Sequence, residues 1–156
     1  LTVGLSVHQS SDGDLVSRVV RVLDDTGLPP ASLILGIPVE ALPATEAADN
    51  LRVLASIGVH TALDNFGTAP DELALLEDLP VRSVRLARRL VERQARSIGD
   101  SPLADALLAL SRLVHQAGAT VIVDGVHTQE QADWWQAAGA DSAMGDLFGA
   151  TRAPGD

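Results

Sequence analysis

Two oxygen-bearing side chains, Asp64 and Asn65, directly follow an apolar run over residues 59–63. A glycine turn at Gly67 comes next, and Pro70 then opens a segment of helical character. In α/β proteins with parallel strands, ligands and metal ions bind at the carboxyl ends of the strands. The pattern therefore predicts a strand whose end presents oxygen ligands to a cleft. The alternative, in which Asp64 only stabilises a turn, stays open at this point.

The composition of the chain excludes several classes of function. The 156 residues carry a net charge of -10, with 11 arginines and no lysine, and an acidic surface disfavours both nucleic-acid binding and adhesion to anionic membranes. Cysteine is absent, so disulfides and zinc–thiolate sites are excluded. No apolar run is long enough to cross a bilayer. We therefore expect a cytoplasmic domain and, because the first residue is Leu1, a part of a longer protein.

Strand-like and helix-like segments alternate along the whole chain. The predicted strands cover residues 1–6, 33–37, 59–63, 83–86, 120–123 and 142–144. Helices are predicted at residues 15–23, 45–57, 70–78, 88–96, 102–118 and 128–138. Because no hairpin signal separates two strands, we expect a parallel sheet with right-handed crossovers. Six such units leave open whether the sheet is doubly wound or part of a barrel.

The most specific motifs are six short segments that follow one another along the chain. The third reads Leu-Asp-Asn-Phe-Gly-Thr, the fifth Val-Asp-Gly-Val-His-Thr, and the sixth Met-Gly-Asp-Leu-Phe-Gly. The six lie at residues 1–6, 33–39, 63–68, 79–87, 123–131 and 144–149. Each resembles a signature segment of the EAL-domain family, the phosphodiesterases of the bacterial second messenger cyclic di-GMP. The third, for example, is similar to the family's Asp-Asp-Phe-Gly-Thr-Gly.

The resemblance implies a modified triosephosphate-isomerase-type (TIM) barrel with its site at the C-terminal ends of the strands. Residues 1–156 would form one EAL-like domain that holds the last six of the eight strands. The Glu-Ala-Leu segment that names the family is expected upstream of Leu1. The tripeptide Glu40-Ala41-Leu42 is interpreted as a coincidence, because it follows a different strand and lacks the arginine expected two residues later.

The resemblance also implies where a ligand would bind, and several of these positions are substituted. The family positions are Gly4, Gly36, Asp64, Asn65, Phe66, Gly67, Arg85, Asp124, His127, Met144 and Gly145. Asp64 is retained, whereas Asn65 replaces an aspartate and Gly36 replaces a glutamate. Asp124 is one methylene shorter than the family's glutamate, and Arg85 replaces a lysine. Asp64, Asn65 and Asp124 are thus weak candidates for metal ligands.

These substitutions predict the loss of catalysis. Family members use Mg²⁺ or Mn²⁺, often as a pair, and such ions need several anionic oxygens. Because only two carboxylates remain, we expect no cofactor, with Mg²⁺ or Mn²⁺ required if any activity survives. The expected function is a regulatory module of cyclic di-GMP signalling that binds a protein partner or forms a homodimer. Two alternatives stay open: a cyclic di-GMP receptor without hydrolysis, and a metal-dependent phosphodiesterase that produces linear pGpG.

Three side-chain arrangements are also predicted. Arg85 is expected to pair with Asp64 or Asp124 and to neutralise the metal position, because neighbouring barrel strands point at one mouth. Phe66 is expected in the core rather than at a stacking surface. Of the adjacent tryptophans Trp134 and Trp135, one should be buried and the other partly exposed.

Overall fold

The sheet of this protein contains six parallel strands in sequence order. A computed structural model describes residues 1–97 and 100–149. The strands are β1 Thr2–Gly4, β2 Ile34–Pro38, β3 His60–Phe66, β4 Ser83–Leu86, β5 Thr120–Asp124 and β6 Ser142–Met144. Each strand pairs in parallel with the next along the chain, in the order β1-β2-β3-β4-β5-β6. The predicted parallel sheet is confirmed.

Helices follow the strands and cover one face of the sheet. They are α1 Val7–Ser10, α2 Leu15–Thr26, α3 Thr45–Ser56, α4 Glu72–Asp78, α5 Arg88–Ala95, α6 Pro102–Gln116 and α7 Gln129–Ala137. Short 3-10 helices lie at Pro30–Ser32, Val39–Ala41 and Asp146–Phe148. A doubly wound sheet reverses its strand order at one point, whereas this order never reverses. The sheet is therefore a curled half-barrel of TIM type, which decides the alternative that the sequence leaves open. No helix in the described part of the chain is long and apolar enough to cross a membrane.

The core lies between the sheet and the helices. The side chains of Leu63, Val84 and Val121 are fully buried on the helix-facing side of neighbouring strands. Trp135 is 1% exposed and meets the half-buried Trp134 edge-on, with the ring centroids 4.8 Å apart. The predicted division of the tryptophan pair is confirmed. This packing holds the strands in fixed positions, so their carboxyl ends form a rigid rim.

A chain of hydroxyl and imidazole groups links three strands at their amino ends. The Nε2 atom of His60 lies 2.7 Å from Oγ of Ser83, which lies 2.9 Å from Oγ1 of Thr120. Burial lowers the pKa of His60 below its ordinary 6.5, and the positive charge of Arg82 lowers it further. The neutral imidazole therefore stays paired with Ser83 at neutral pH. Polar groups thus fill the end of the half-barrel opposite the candidate site.

One local prediction is wrong, and one short helix was not predicted. Strand β3 does not end at residue 63 but continues through Asp64 and Asn65 to Phe66, with an irregular register to β4 between Leu63 and Phe66. Asn65 has a φ of 62°, a left-handed conformation that asparagine tolerates better than most residues. The stretch after Ser6, to which the sequence pattern assigned no element, begins with the short helix α1. Ser6 and Gln9 form a capping box that starts it, which is a recognisable sequence signal.

Candidate functional site at the strand ends

An ion pair lies at the carboxyl ends of β3 and β4. Atom Nη1 of Arg85 donates a hydrogen bond to Oδ2 of Asp64 at 3.2 Å. Both side chains are mostly buried, with 19% of Arg85 and 18% of Asp64 exposed. The two residues occupy neighbouring strands and their side chains emerge on the same side of the sheet. The ion pair is the first of the two arrangements that the sequence predicts for Arg85.

Gly36 makes room for the Asp64 carboxylate. A Cβ atom added at Gly36 would overlap the carboxylate, at 2.6 Å from Cγ of Asp64. On β1, a Cβ at Gly4 would lie 3.4 Å from Oδ2 of Asp64. The carboxylate therefore occupies the space that a side chain at position 36 would fill. The lack of a side chain at Gly36 is therefore what permits this orientation of the Asp64 carboxylate.

Burial changes the proton affinity of Asp64. Desolvation raises the pKa of its carboxyl above the ordinary 3.8, and this effect exceeds the lowering by Arg85. The negative charge of Asp124 raises the pKa further. Atoms Oδ1 of Asp64 and Nε of Arg85 are buried and have no hydrogen-bond partner among residues 1–97 and 100–149. One buried polar atom of each residue thus lacks a hydrogen bond, which makes the burial of this ion pair energetically costly.

Asn65 forms a hydrogen bond outside the Asp64–Arg85 pair. Its side-chain amide donates a hydrogen bond to the carboxylate of Glu40, which lies in the 3-10 helix directly after β2. The residue is exposed, and its backbone adopts the left-handed conformation. Glu40 belongs to the tripeptide that the sequence interpretation sets aside as a coincidence. The hydrogen bond to Asn65 shows that Glu40 lies at the rim, which the sequence alone did not indicate.

Glu72 holds the turn after β3. Its carboxylate accepts hydrogen bonds from the backbone N–H of Gly67 at 2.5 Å and of Thr68 at 3.0 Å. It also accepts one from Oγ1 of Thr68 at 2.5 Å. Glu72 is only 7% exposed, although it is a charged residue in the first turn of α4. The sequence interpretation missed this role; an acidic side chain shortly after a glycine turn and at a helix start was the available signal.

The turn between β5 and α7 packs against the end of β6. The backbone N–H groups of Gly125 and Val126 both donate to the carbonyl of Met144 at 3.0 Å. A Cβ at Gly145 would overlap the carbonyl of Val126, and Gly145 has a φ of 144°. These contacts fix the rim beside Asp124 without any ligand. Gly145 therefore has a packing role that explains the glycine.

His127 forms its own pair at the outer edge of the rim. Its Nδ1 lies 2.9 Å from Oδ2 of Asp146, and both side chains are exposed. The backbone N–H of His127 donates to Oε1 of Gln131 at 2.7 Å, as part of the N-terminal cap of α7. Thr128 and Gln131 form a capping box at the start of α7, a signal that can be recognised in the sequence. His127 thus contacts groups other than the Asp64–Arg85 pair.

The structure brings together only part of the predicted site. Gly4, Gly36, Asp64 and Arg85 converge, with Asp124 near enough to affect Asp64 electrostatically. Phe66 is 0% exposed, so its predicted core position is confirmed and its aromatic ring is inaccessible to a ligand. Among residues 1–97 and 100–149, no three His, Asp or Glu side chains are grouped as a metal site would require.

The sequence signature and the fold point to one family. The model of the EAL domain matches residues 1–151. The chain belongs to the EAL-domain family. The resemblance carried by the six short segments is therefore confirmed.

The relatives of this EAL domain are much longer proteins. Protein y4lL of Sinorhizobium fredii is 34% identical over 96% of this chain and 18% of its own length. MucR of Pseudomonas aeruginosa, a bifunctional diguanylate cyclase and cyclic di-GMP phosphodiesterase, is 28% identical over 96% of this chain and 22% of its own. The chain thus spans about a fifth of the length of these relatives.

Solved EAL structures have the same architecture. The PaMucR phosphodiesterase in complex with c-di-GMP superposes with a TM-score of 0.86 at 27% identity. The match covers 96% of this chain and 66% of that one. The half-barrel seen here therefore corresponds to about two thirds of that structure.

Proposed function

We propose that this EAL domain is a catalytically inactive module of cyclic di-GMP signalling, which acts by binding a protein partner or a second copy of itself. The observation that carries the proposal is the ion pair of Arg85 and Asp64 above Gly36. In this arrangement the retained carboxylate is paired with a fixed cation. The domain thus keeps the EAL scaffold, but the strand-end mouth holds an ion pair in place of a catalytic site.

The residues at the mouth do not fit a pair of divalent ions. Mg²⁺ and Mn²⁺ prefer several carboxylate, carbonyl or water oxygens around each ion. One oxygen of Asp64 is engaged by Arg85, and Gly36 offers no side-chain donor. The positive guanidinium would also repel a cation at this position.

Arg85 cannot replace the lysine of the family as a proton acceptor. An arginine side chain stays protonated in proteins, because its pKa exceeds about 12. The loss of a single preorganised transition-state contact costs about 10²-fold in rate or more. Because Gly36, Asn65 and Arg85 are substituted together, the combined loss supports an inactive domain.

A hydrolysis assay tests the proposal. The purified chain is incubated with cyclic di-GMP and Mn²⁺, and linear pGpG is measured by chromatography, with the EAL domain of PaMucR as the active control. The expected result is no product above that of the Asp64→Ala variant. Product that depends on Mn²⁺ and disappears in Asp64→Ala would establish a phosphodiesterase and overturn the proposal.

Binding of cyclic di-GMP without hydrolysis is the second candidate. It is supported by the PaMucR structure, which holds c-di-GMP on a similar scaffold, and by the cationic Arg85, which suits a phosphate group. Isothermal titration calorimetry with the dinucleotide separates the two readings. Saturable heat that is lost in Arg85→Ala supports the receptor, and no heat at high micromolar ligand supports the partner-binding module.

A further inference from the structure

The arginines of this acidic protein are concentrated in one short segment. Residues 82–96 contain six of the 11 arginines and a single carboxylate, that of Glu92. The whole chain nevertheless carries a net charge of -10. This segment is therefore a local concentration of positive charge in a chain of net negative charge, and such regions select oppositely charged partners.

Helix α5 arranges three of these arginines in a stripe. Arg89, Arg93 and Arg96 stand at i, i+4 and i+7, so they lie on one face of the helix and at its end. They line a concave surface of about 560 Å³ together with Leu90, Glu92 and Ser97. We call this concavity, formed by residues 89, 90, 92, 93, 96 and 97, the arginine cleft. Its lining combines three cationic side chains with one apolar residue, Leu90.

The three arginines of the cleft are available to a partner. All three side chains are exposed. Within the part of the chain that the structure describes, Arg85 pairs with Asp64 and Arg88 pairs with Glu92 at 2.9 Å, and the salt bridges there do not include Arg89, Arg93 or Arg96. Their charge is therefore not consumed by structural ion pairs.

Helix stability does not explain all of this charge. The dipole of a helix favours cations in its last turn, where Arg93 and Arg96 lie, and disfavours them in the first turn. Helix α5 begins with Arg88 and Arg89 and has no acidic residue in its first turn. Its opposite side is anchored by the buried Val91 and Gln94. The two arginines at the start of α5 are therefore unfavourable for helix stability, and a role in binding would explain their presence.

We propose that the arginine cleft binds an acidic segment of a partner protein. Arg89 and Arg96 are seven positions apart, which corresponds to ~10 Å along a helix axis. Cations spread along a line match carboxylates at successive positions of a peptide, whereas one phosphate needs donors that converge on a point. A concave surface with its cations in a line fits an extended acidic peptide better than it fits a flat anionic membrane.

This inference rests on the proposed function, because it gives the partner-binding module a surface and a partner chemistry. The partner carries several Asp or Glu side chains in a linear segment and an apolar residue that contacts Leu90. The site lies on α5 and not at the strand-end mouth. Loss of the cleft and gain of hydrolysis are therefore measured by different assays.

A peptide-binding experiment tests the cleft. A fluorescein-labelled peptide rich in glutamate is titrated with the complete chain, and its fluorescence anisotropy is recorded at low and at physiological salt. The variant Arg89→Glu/Arg93→Glu reverses two charges of the stripe. We expect saturable binding by the unchanged chain, weakened by added salt, and a loss of affinity of about tenfold or more in the variant.

The matched control reverses the same number of charges on other surfaces of the protein. Arg21→Glu/Arg112→Glu changes two exposed arginines on α2 and α6 and alters the net charge equally. We expect this variant to bind the peptide within about twofold of the unchanged chain, since its cleft is intact. Circular dichroism checks that both variants fold.

Four outcomes would overturn the inference. The unchanged chain fails to bind the peptide, or both double variants lose affinity equally, which would indicate a general charge effect. Inorganic phosphate competes at the same concentration as the peptide, which would indicate a simple anion site. Anionic vesicles bind through the same arginines and the peptide does not, which would indicate a membrane surface. If pGpG were produced while peptide binding held, the proposed function alone would fail.

Discussion

At the scale of single residues, one glycine and one ion pair determine what the mouth of this EAL domain can hold. Gly36 lacks the side chain that would displace Asp64, and Asp64 uses that space while it accepts the hydrogen bond of Arg85. Each substitution read alone is a modest change. Read together, they form one packed internal pair at the strand ends.

The variant Gly36→Ala tests this coupling. The added Cβ would collide with the Asp64 carboxylate, so we expect a loss of about 1–3 kcal/mol in the free energy of unfolding. Gly13→Ala is the control, because nothing lies within 4 Å of a Cβ at that position. Urea denaturation measures both. In an Asp64→Ala background the cost of Gly36→Ala should largely disappear, and an undiminished cost there would show that another neighbour causes the strain.

The raised pKa of Asp64 predicts a dependence of stability on pH. Because burial raises the folded-state pKa above the ordinary 3.8, the folded protein holds this proton more tightly than the unfolded chain does. The contribution of Asp64 to stability is therefore fully present below pH 3.8 and is lost as the pH rises through the folded-state pKa. The difference in unfolding free energy between the unchanged chain and Asp64→Asn should fall across this window. Urea denaturation at a series of pH values measures it, and a difference that grows with pH would contradict the prediction.

At the scale of elements, the turn between β3 and α4 is fixed by one buried carboxylate. Glu72 accepts three hydrogen bonds from Gly67 and Thr68, so it ties the start of α4 to the end of the central strand. The neighbouring rim is fixed differently, by backbone bonds from Gly125 and Val126 to Met144. The rim of this half-barrel is thus held by its own polar groups.

Removal of the Glu72 carboxylate should loosen this turn. Glu72→Ala leaves two backbone N–H groups without their acceptor, and we expect a loss of about 2–3 kcal/mol of unfolding free energy. Glu72→Gln keeps an acceptor and should cost about half as much. Hydrogen exchange of the Gly67 and Thr68 amides, measured by NMR, should accelerate in Glu72→Ala. Unchanged exchange at these two amides would show that the turn does not depend on Glu72.

At the scale of the whole molecule, the half-barrel has two strand edges. In the region that the structure describes, β1 pairs with β2 alone and β6 with β5 alone. Exposed strand edges favour pairing with a further strand. Val3 on β1 is 39% exposed and Met144 on β6 is 37% exposed, so apolar groups accompany the edges. A second copy or another segment that pairs there would extend the sheet.

Self-association of this chain should depend on the β1 edge. We expect a mass above that of the monomer in light scattering at micromolar concentration, and Val3→Lys should shift the chain toward the monomer because a charged edge opposes strand pairing. Val53→Lys is the control, since Val53 is 45% exposed on helix α3, away from both edges. A monomeric unchanged chain, or an equal effect of both variants, would exclude association through this edge.

Local sequence signals were sufficient for most elements. The capping box of Thr128 and Gln131 and the Ser101–Pro102 start predicted helices that the structure contains. Helix α1 carried the same kind of signal at Ser6 and Gln9 and was missed because it is only four residues long. The end of β3 was misplaced because polar residues usually end strands, whereas here Asp64 lies inside the curve of the sheet and Asn65 tolerates the left-handed backbone.

The sequence by itself determined the parallel architecture, the family and the identity of the substituted residues, because these depend on local periodicity and on motifs of neighbouring residues. Only the tertiary structure decided that Arg85 bonds to Asp64, that Gly36 provides the space for it, and that Asn65 bonds to Glu40. Those contacts join residues more than 20 positions apart on different elements of the fold. Which of two charged neighbours an arginine meets is fixed by strand register and side-chain volume, and neither is encoded in a local pattern.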